Sequence, residues 1–162
     1  MGEERDQTMD EFSARLNDLI VDTYRSVLKV EESMLKNSHG IDLSISEIHM
    51  LEAVGRGEGH RRTISGLAED LDITLPSVTV AINKLLKKGY VEKVRGEQDG
   101  RTVYVSLTRK GKKMDSVHRY FHENMVRSII SGMTEEEKQA LYCGIQKLDA
   151  FLKRKIGTTE AD

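Results

Sequence analysis

The chain has little that would suggest export, disulfide bonding or a membrane: its 162 residues include one cysteine, one proline and no tryptophan. The lone Cys143 excludes a disulfide framework within the chain and is typical of a reducing compartment. No apolar run approaches the ~20 residues that a membrane span needs. The opening residues 1–6 are polar and acidic, unlike a secretion signal. We therefore expect a cytoplasmic protein without membrane contact.

The common sequence patterns of catalytic sites are also missing. The chain has no phosphate-binding loop, no nucleophile elbow and no evident pair of catalytic carboxylates. The segment from His118 to His122 shares only its two histidines with a zinc-protease helix, because Arg119 occupies the position where that helix requires Glu. We predict a protein that is not an enzyme and needs no cofactor.

Charge is unevenly distributed, although the formal net charge is only −2. Residues 84–113 carry ten basic and three acidic side chains, whereas residues 1–58 carry six basic and thirteen acidic ones. A short basic stretch in an otherwise acidic protein is expected for a surface that faces phosphates. A solvated run of charge would have the same composition, so the surrounding pattern must decide between the two interpretations.

Apolar residues at helical spacing, bounded by caps and glycines, predict six helices. Ser44 and Thr134 each begin a Ser/Thr-x-x-Glu capping box, and Thr63 and Thr108 are placed to cap two further helices. Two short runs between the fourth and fifth helices predict the strands of a hairpin, the second by its alternation of apolar and polar residues. The predicted helices cover 12–37, 45–54, 64–71, 75–88, 109–131 and 135–156, and the strands 90–94 and 102–107.

This order of elements predicts a mainly α fold with a small β wing of two or three strands. It is the order of a winged helix-turn-helix with long N- and C-terminal dimerisation helices. We expect residues 1–40 to form an N-terminal dimerisation helix, 41–110 the DNA-binding domain and 111–162 the C-terminal dimerisation helices. The first helix and the last two have broad apolar faces that one small domain cannot bury, which favours a homodimer.

The helix predicted at 75–88 has one apolar and one largely polar side. On the polar side, Asn83 can pair with an adenine edge and Val80 can contact a thymine methyl. An ordinary surface helix would favour a charge at the position of Val80. An unremarkable pair of surface helices is the alternative, but the attached wing favours DNA binding. The residues expected to pack inward are Leu75, Val78, Ile82, Leu85 and Leu86.

The loop of the predicted hairpin is the second candidate contact with DNA. Arg95 and Arg101 flank this loop and can place an arginine in the minor groove, while Asp99 can orient Arg101 through a paired contact. The residues predicted to bind DNA are Thr63, Thr74, Pro76, Ser77, Thr79, Val80, Asn83, Lys84, Lys87, Arg95, Asp99 and Arg101.

Several stretches resemble the MarR family of bacterial repressors, and the resemblance extends from about Asn17 to Leu152. The wing of that family usually has Asp, a polar residue and Arg, and here Gly100 takes the middle position. The resemblance implies a winged-helix homodimer that binds a palindromic operator in double-stranded DNA. The matching stretches are 67–71, 85–91, 99–101 and 107–111.

Within that family the chain is similar to the FabT-type repressors of fatty-acid biosynthesis genes. Such proteins bind DNA better in the presence of long-chain acyl groups on acyl carrier protein. The resemblance implies acyl-acyl carrier protein as a co-repressor here. The stretches that carry this similarity are 30–32, 45–49, 95–99, 121–126 and 132–137.

Four residues suggest a different signal. His118 and His122 lie one helical turn apart, and His49 and Glu31 (or Glu32) lie on helices that we expect to pack nearby. Histidine and carboxylate ligands suit zinc, and zinc-sensing MarR repressors resemble the pattern of Glu31, His49, His118 and His122. A zinc-sensing repressor is therefore the alternative function, although a hydrogen-bonded polar cluster would explain the same residues.

An acyl chain would instead need an apolar channel between the first, second and fifth helices. Flexible and aromatic side chains can line such a channel, but they can equally form an ordinary core. Cys143, with no cysteine partner and no adjacent basic residue, is expected to be a buried core residue rather than a redox sensor. The candidates for the effector pocket are Met34, His49, Met50, Tyr120, Phe121, Met125 and Ile129.

If the wing reaches DNA, Arg101→Ala weakens operator binding by about 1–3 kcal/mol and leaves dimerisation intact. Anisotropy of a labelled duplex measures the binding, and sedimentation measures the dimer. Equal affinity of the mutant and the parent would contradict a contact between the wing and DNA.

A salt titration distinguishes a DNA-binding protein from a protein adaptor, because phosphate contacts make affinity fall steeply with salt and an adaptor binds no duplex.

Overall fold

The computed structural model describes residues 10–37, 41–96 and 102–159. Two compact units divide the chain, the first ending at Asp115 and the second beginning at Ser116. None of the helices in the described ranges has the length and apolarity needed to cross a membrane. In chain order the elements are α1 (Glu11–Asn37), α2 (Ile45–Gly55), β1 (Arg61–Thr63), α3 (Ile64–Leu71), α4 (Leu75–Lys87), β2 (Val91–Arg95), β3 (Val103–Leu107), α5 (Arg109–Ile130) and α6 (Glu135–Thr159).

Side-chain caps begin the helices where the sequence predicts them. At α2, the Ser44 hydroxyl accepts the Glu47 amide and the Glu47 carboxylate accepts the Ser44 amide, which completes the capping box. Thr134 and Glu137 form the same pair of bonds at α6. The hydroxyl of Thr108 accepts an amide of the first turn of α5. Each cap satisfies an N–H group that the first turn leaves without a helical partner, so the predicted starts are confirmed.

A tight turn connects α3 to α4, as the sequence predicts for residues 72–74. Asp72 ends α3 in the left-handed conformation, with φ of 52°, which a short polar side chain tolerates better than a branched one. The amide of Ile73 then donates to the carbonyl oxygen of Ala68 at 3.2 Å. These bonds fix the direction in which α4 leaves α3.

The strands form one antiparallel sheet in the order β1-β3-β2. The wing hairpin pairs Val91 with Leu107 at its base and Arg95 with Val103 towards its tip. The sequence predicts β2 and β3 as runs but not β1, which pairs with the other edge of β3. The three residues of β1 are all half-buried and show no alternation of apolar and polar side chains, so only their pairing with β3 identifies them as a strand.

The core of the first unit includes the inner side of α4. Four of the five residues predicted to face inward on this helix do so, three of them without exposed surface and Leu86 packed against the core. Leu75 was wrongly predicted, because it is 51% exposed. Residues 72–74 before it are exposed too, so the first turn of α4 has no core to cover. The side chains with 0% exposure are Leu51, Val54, Leu67, Val78, Ile82, Leu85 and Val105.

The start of α5 lies directly on the turn that follows α4. Gly89 takes a φ of 74° in that turn, and its carbonyl oxygen accepts the Thr108 hydroxyl at 2.8 Å. A Cβ atom on Gly111 would lie 2.1 Å from the carbonyl oxygen of Tyr90, so only glycine permits this approach. The spacing of these two glycines therefore sets how α4, the wing and the first turn of α5 meet.

These elements confirm the predicted mainly α winged helix-turn-helix with a small β wing. Cys143 corrects a prediction: it is exposed rather than buried, because most side chains of α6 lie on the surface of a single chain. The proposed division into residues 1–40, 41–110 and 111–162, with its dimerisation roles, stays a prediction.

Ile82→Ala should lower the free energy of unfolding by about 2–5 kcal/mol, because Ile82 is fully buried and its truncation leaves a cavity. Val80→Ala is the matched control on the opposite side of the same helix, where the side chain is 55% exposed. We expect it to change the unfolding free energy by less than about 0.5 kcal/mol. Urea unfolding followed by circular dichroism at one protein concentration measures both. Equal losses would contradict the described packing of α4.

Candidate nucleic-acid interface

The outer side of α4 is exposed, as the sequence predicts. Val80 remains on the surface with 55% exposure, although an apolar side chain gains by burial. Thr79 is half-buried, and its hydroxyl donates to the carbonyl oxygen of Leu75 at 2.8 Å. The exposed residues of this face are Pro76, Ser77, Val80, Asn83, Lys84 and Lys87.

Two threonines predicted to bind DNA cap helices in the protein itself. The Thr74 hydroxyl accepts the Ser77 amide at 3.3 Å and lies 2.8 Å from the Ser77 hydroxyl. The Thr63 hydroxyl accepts the Gly66 amide at 3.1 Å, at the start of α3. Capping accounts for both residues without DNA, so their contact with an operator stays a prediction.

A groove of about 550 Å³ lies between the outer side of α4 and the start of α2. Packing brings Ser46 to this groove, and the sequence did not single that residue out as a candidate. Nothing in the local pattern around Ser46 distinguishes it from any other residue in a first helical turn. The lining residues are Ser44, Ser46, Glu47, Pro76, Ser77, Val80, Ala81 and Lys84.

Arginines near the wing have different environments. Arg95 is exposed at the end of β2, where it can reach a ligand. Asp99 and Arg101 lie outside the described residues, so their paired contact stays a prediction. Arg61 lies 5.2 Å from the ring centroid of Tyr104, and Arg62 forms an ion pair with Asp70. The internal contacts of Arg61 and Arg62 give them a structural role beside the wing.

Lys88, unlike its neighbour Lys87, is paired inside the protein. Its Nζ lies 2.9 and 2.8 Å from the two carboxylate oxygens of Glu47, a residue that is 8% exposed. Burial by itself would raise the pKa of Glu47. The hydrogen bond and charge of Lys88, together with the Ser44 amide, outweigh burial and lower that pKa. The hydrogen bond with Glu47 raises the pKa of Lys88, so both groups are charged near neutral pH.

The residues of the predicted zinc site fall in both compact units. In the first unit, the Nε2 atom of His49 lies 3.7 Å from a carboxylate oxygen of Glu31. In the second unit, the Nε2 atoms of His118 and His122 lie 3.1 Å apart. Two ring nitrogens at that distance share a hydrogen bond when one carries a proton and the other does not. The zinc interpretation stays a prediction.

The residues of the predicted effector pocket are likewise divided between the units. Met50 belongs to the buried core of the first unit, and Met34 packs against that core. Tyr120 is 62% exposed on α5, whereas Phe121 and Met125 are half-buried there. Ordinary packing accounts for Met34 and Met50, and an acyl channel stays a prediction.

A family model and two curated relatives show what the chain is similar to. The family model of the transcriptional regulators SarA/Rot matches residues 32–117. The HTH-type transcriptional regulator YhjH of Bacillus subtilis is 31% identical over 118 residues, which cover 70% of this chain and 66% of the relative. BilQ of Clostridium symbiosum, another HTH-type transcriptional regulator, is 39% identical over 69 residues, covering 42% and 47%. The chain thus spans between about half and two thirds of the length of these two relatives.

Two solved structures bound to DNA have the same fold. FabT of Streptococcus pneumoniae, in complex with DNA, is 38% identical with a TM-score of 0.80, over 88% of this chain and 98% of that one. The MepR–DNA complex of S. aureus is 20% identical with a TM-score of 0.66, over 85% and 97%. The likeness to MepR concerns the fold alone.

Proposed function

Because the chain belongs to the SarA/Rot family of MarR-type winged-helix transcriptional regulators, we propose that it is a cytoplasmic repressor that binds a palindromic DNA operator as a homodimer. The observation that carries this proposal is the outer side of α4. Val80 and Asn83 are exposed on a helix whose inner residues Val78, Ile82 and Leu85 are completely buried, next to a wing whose strand β2 ends at the exposed Arg95. This combination fits a helix that enters a major groove beside a hairpin.

Four exposed residues of α4 have distinct parts in the proposed contact. Asn83 offers a donor and an acceptor to an adenine edge, and Val80 offers a methyl surface to thymine. Lys84 and Lys87, on the exposed side near the end of the helix, neutralise phosphates on either side of the groove. Arg95 is placed to reach the adjacent minor groove. Hydrogen bonds to bases and attraction to the DNA phosphates thus both come from residues 80–95.

The dimer is proposed because one chain offers one helix, α4, that can read bases (the reading helix), whereas a palindrome has two half-sites. Large apolar side chains are exposed along α1 and α6, which is unusual for a monomer and typical of an interface between copies. Two such helices in each copy would provide an extended interface. The exposed side chains are Phe12, Leu16, Leu19, Ile20, Val21, Tyr24 and Val30 on α1, and Leu141, Tyr142, Ile145, Phe151, Leu152 and Ile156 on α6.

The proposed regulon is fatty-acid biosynthesis, with acyl-acyl carrier protein as co-repressor. Support for it comes from the resemblance to FabT-type repressors and from the 38% identity to FabT over 88% of this chain.

Asn83→Ala should weaken operator binding by about 1–3 kcal/mol and relax the preference at one base pair of each half-site. The cause is the loss of paired hydrogen bonds to a base. The duplex is first selected from a randomised pool with the parent protein, and anisotropy then measures affinity for it and for its single-base variants. Asn124→Ala, which removes the same amide from α5, is the matched control and should bind like the parent. Unchanged affinity and base preference in Asn83→Ala would contradict the proposed contact.

Long-chain acyl-acyl carrier protein should strengthen binding to a duplex from a fatty-acid biosynthesis promoter on the order of tenfold. Unacylated carrier protein is the control and should have no effect. Mobility-shift titrations at fixed salt measure the change. No strengthening by the acylated protein would contradict the co-repressor while leaving DNA binding intact. Strengthening by zinc that a chelator reverses would favour the zinc-sensing alternative.

A further inference from the structure

All the N–H groups of the Lys88 ammonium are directed at acceptors inside the protein. Besides the two carboxylate oxygens of Glu47, its Nζ donates to the carbonyl oxygen of Asp42. An ammonium has three N–H donors, and these three acceptors account for them. A lysine in this arrangement has no remaining donor for a phosphate, although it lies in the most basic stretch of the chain.

Glu47 connects two helices through a single buried carboxylate. One of its oxygens, Oε2, accepts the Ser44 amide at 2.8 Å and the Lys88 ammonium at 2.8 Å. The first bond belongs to the capping box of α2, and the second holds Lys88, the C-cap residue that directly follows α4. The start of α2 and the C-terminal end of α4 are therefore joined by a charged pair in which the Glu47 side chain is 10% exposed and the Lys88 side chain 29% exposed.

The contacts between the start of α2 and the end of α4 extend to the first residues of the wing and of α5. The Tyr90 hydroxyl donates to an Asp42 carboxylate oxygen at 3.2 Å, and the Tyr90 ring is 2% exposed. Lys110, in the first turn of α5, lies 3.9 Å from the Tyr90 ring centroid and donates to the Lys88 carbonyl oxygen at 3.1 Å. Because β2 begins directly after Tyr90, these contacts fix the wing relative to the end of α4.

We propose that Lys88 and Glu47 are positioning residues for operator recognition, which hold the end of α4 and the base of the wing at the angle that a half-site requires. Lys88 contributes no phosphate contact, in contrast to its exposed neighbour Lys87. This inference rests on the proposed DNA-binding function. It gives two adjacent lysines different roles: Lys87 binds the backbone of DNA, and Lys88 orients the reading helix.

Salt dependence distinguishes the two roles. Affinity falls with salt, so the slope of log affinity against log salt is negative. Each phosphate contact that is lost reduces the magnitude of this slope by about 0.9. We expect Lys87→Met to lose about 0.9 of slope and to weaken operator and random-sequence duplexes alike. We expect Lys88→Met to keep the parent slope, to weaken the selected operator about tenfold, and to leave random-sequence binding within about twofold. Anisotropy titrations on duplexes of about 30 base pairs, from low to moderate salt, measure both.

Further variants separate positioning from loss of folding. Lys88→Arg keeps donors for both carboxylate oxygens and should restore operator affinity to within about threefold of the parent. Glu47→Gln keeps an acceptor for the Ser44 cap but loses the charge, and should resemble Lys88→Met. The double variant should be no worse than either single one, because the pair acts as one unit. Thermal melts identify any variant that is unfolded at the assay temperature, and Lys88→Arg and Glu47→Gln then carry the test.

Three outcomes would overturn the inference. A loss of about 0.9 of salt slope in Lys88→Met would make Lys88 a phosphate contact. Parent-like operator affinity in both Lys88→Met and Glu47→Gln would remove the positioning role while leaving the proposed function standing. A parent protein that selects and binds no duplex would overturn the proposed function, and the inference with it.

Discussion

Val78, Ile82 and Leu85 anchor the inner side of α4 in the core of the first unit, with no exposed surface on any of them. Turning the helix to bury other residues would expose these three side chains, each of which gains about 1.5–3 kcal/mol from burial. The helical repeat of 3.6 residues then leaves Val80 and Asn83 on the outside. The exposed face is thus a consequence of the core, and the proposed reading of DNA depends on it.

The basic side chains of residues 84–113 do not all face solvent. Residues 84–113 are strongly basic as a segment, but the structure assigns their charges to different tasks. Lys84 and Lys87 are exposed, whereas Lys88 is neutralised by Glu47 and Lys110 lies against the Tyr90 ring. A count of lysines therefore overstates the number available to phosphates. In the proposed mechanism, the Lys88–Glu47 pair holds the helix that carries Lys84 and Lys87 in position.

The comparisons and the structure support the same function by independent routes. The similarity to transcriptional regulators identifies the family, while the buried and exposed sides of α4 supply a physical reason for DNA binding that needs no relative. Apolar side chains on α1 and α6 extend this reasoning to the assembly, because a surface of that kind is stable in water when another copy covers it. In the proposed mechanism, the reading helix and the wing bind one half-site, and the dimer brings two copies of them to a palindromic operator.

Local patterns in the sequence determined most of the elements. The capping boxes at Ser44 and Thr134, the helical spacing in α4 and the strands of the wing depend on neighbours within a few residues, and the structure confirms them. Local patterns also placed Val80 and Asn83 outside, because the apolar period of one helix is enough to divide its two sides.

Only the tertiary structure decided the features that depend on residues far apart in the chain. The strand β1 exists through its pairing with β3, and Leu75 is exposed because the core ends before the first turn of α4. The sequence predicts Lys87 as a DNA contact, but it does not show what Lys88 binds, because the carboxylate that pairs with Lys88 comes from Glu47, 41 positions away. Spacing along the chain encodes periodicity and caps, but it does not encode which distant side chain occupies the space beside a given one.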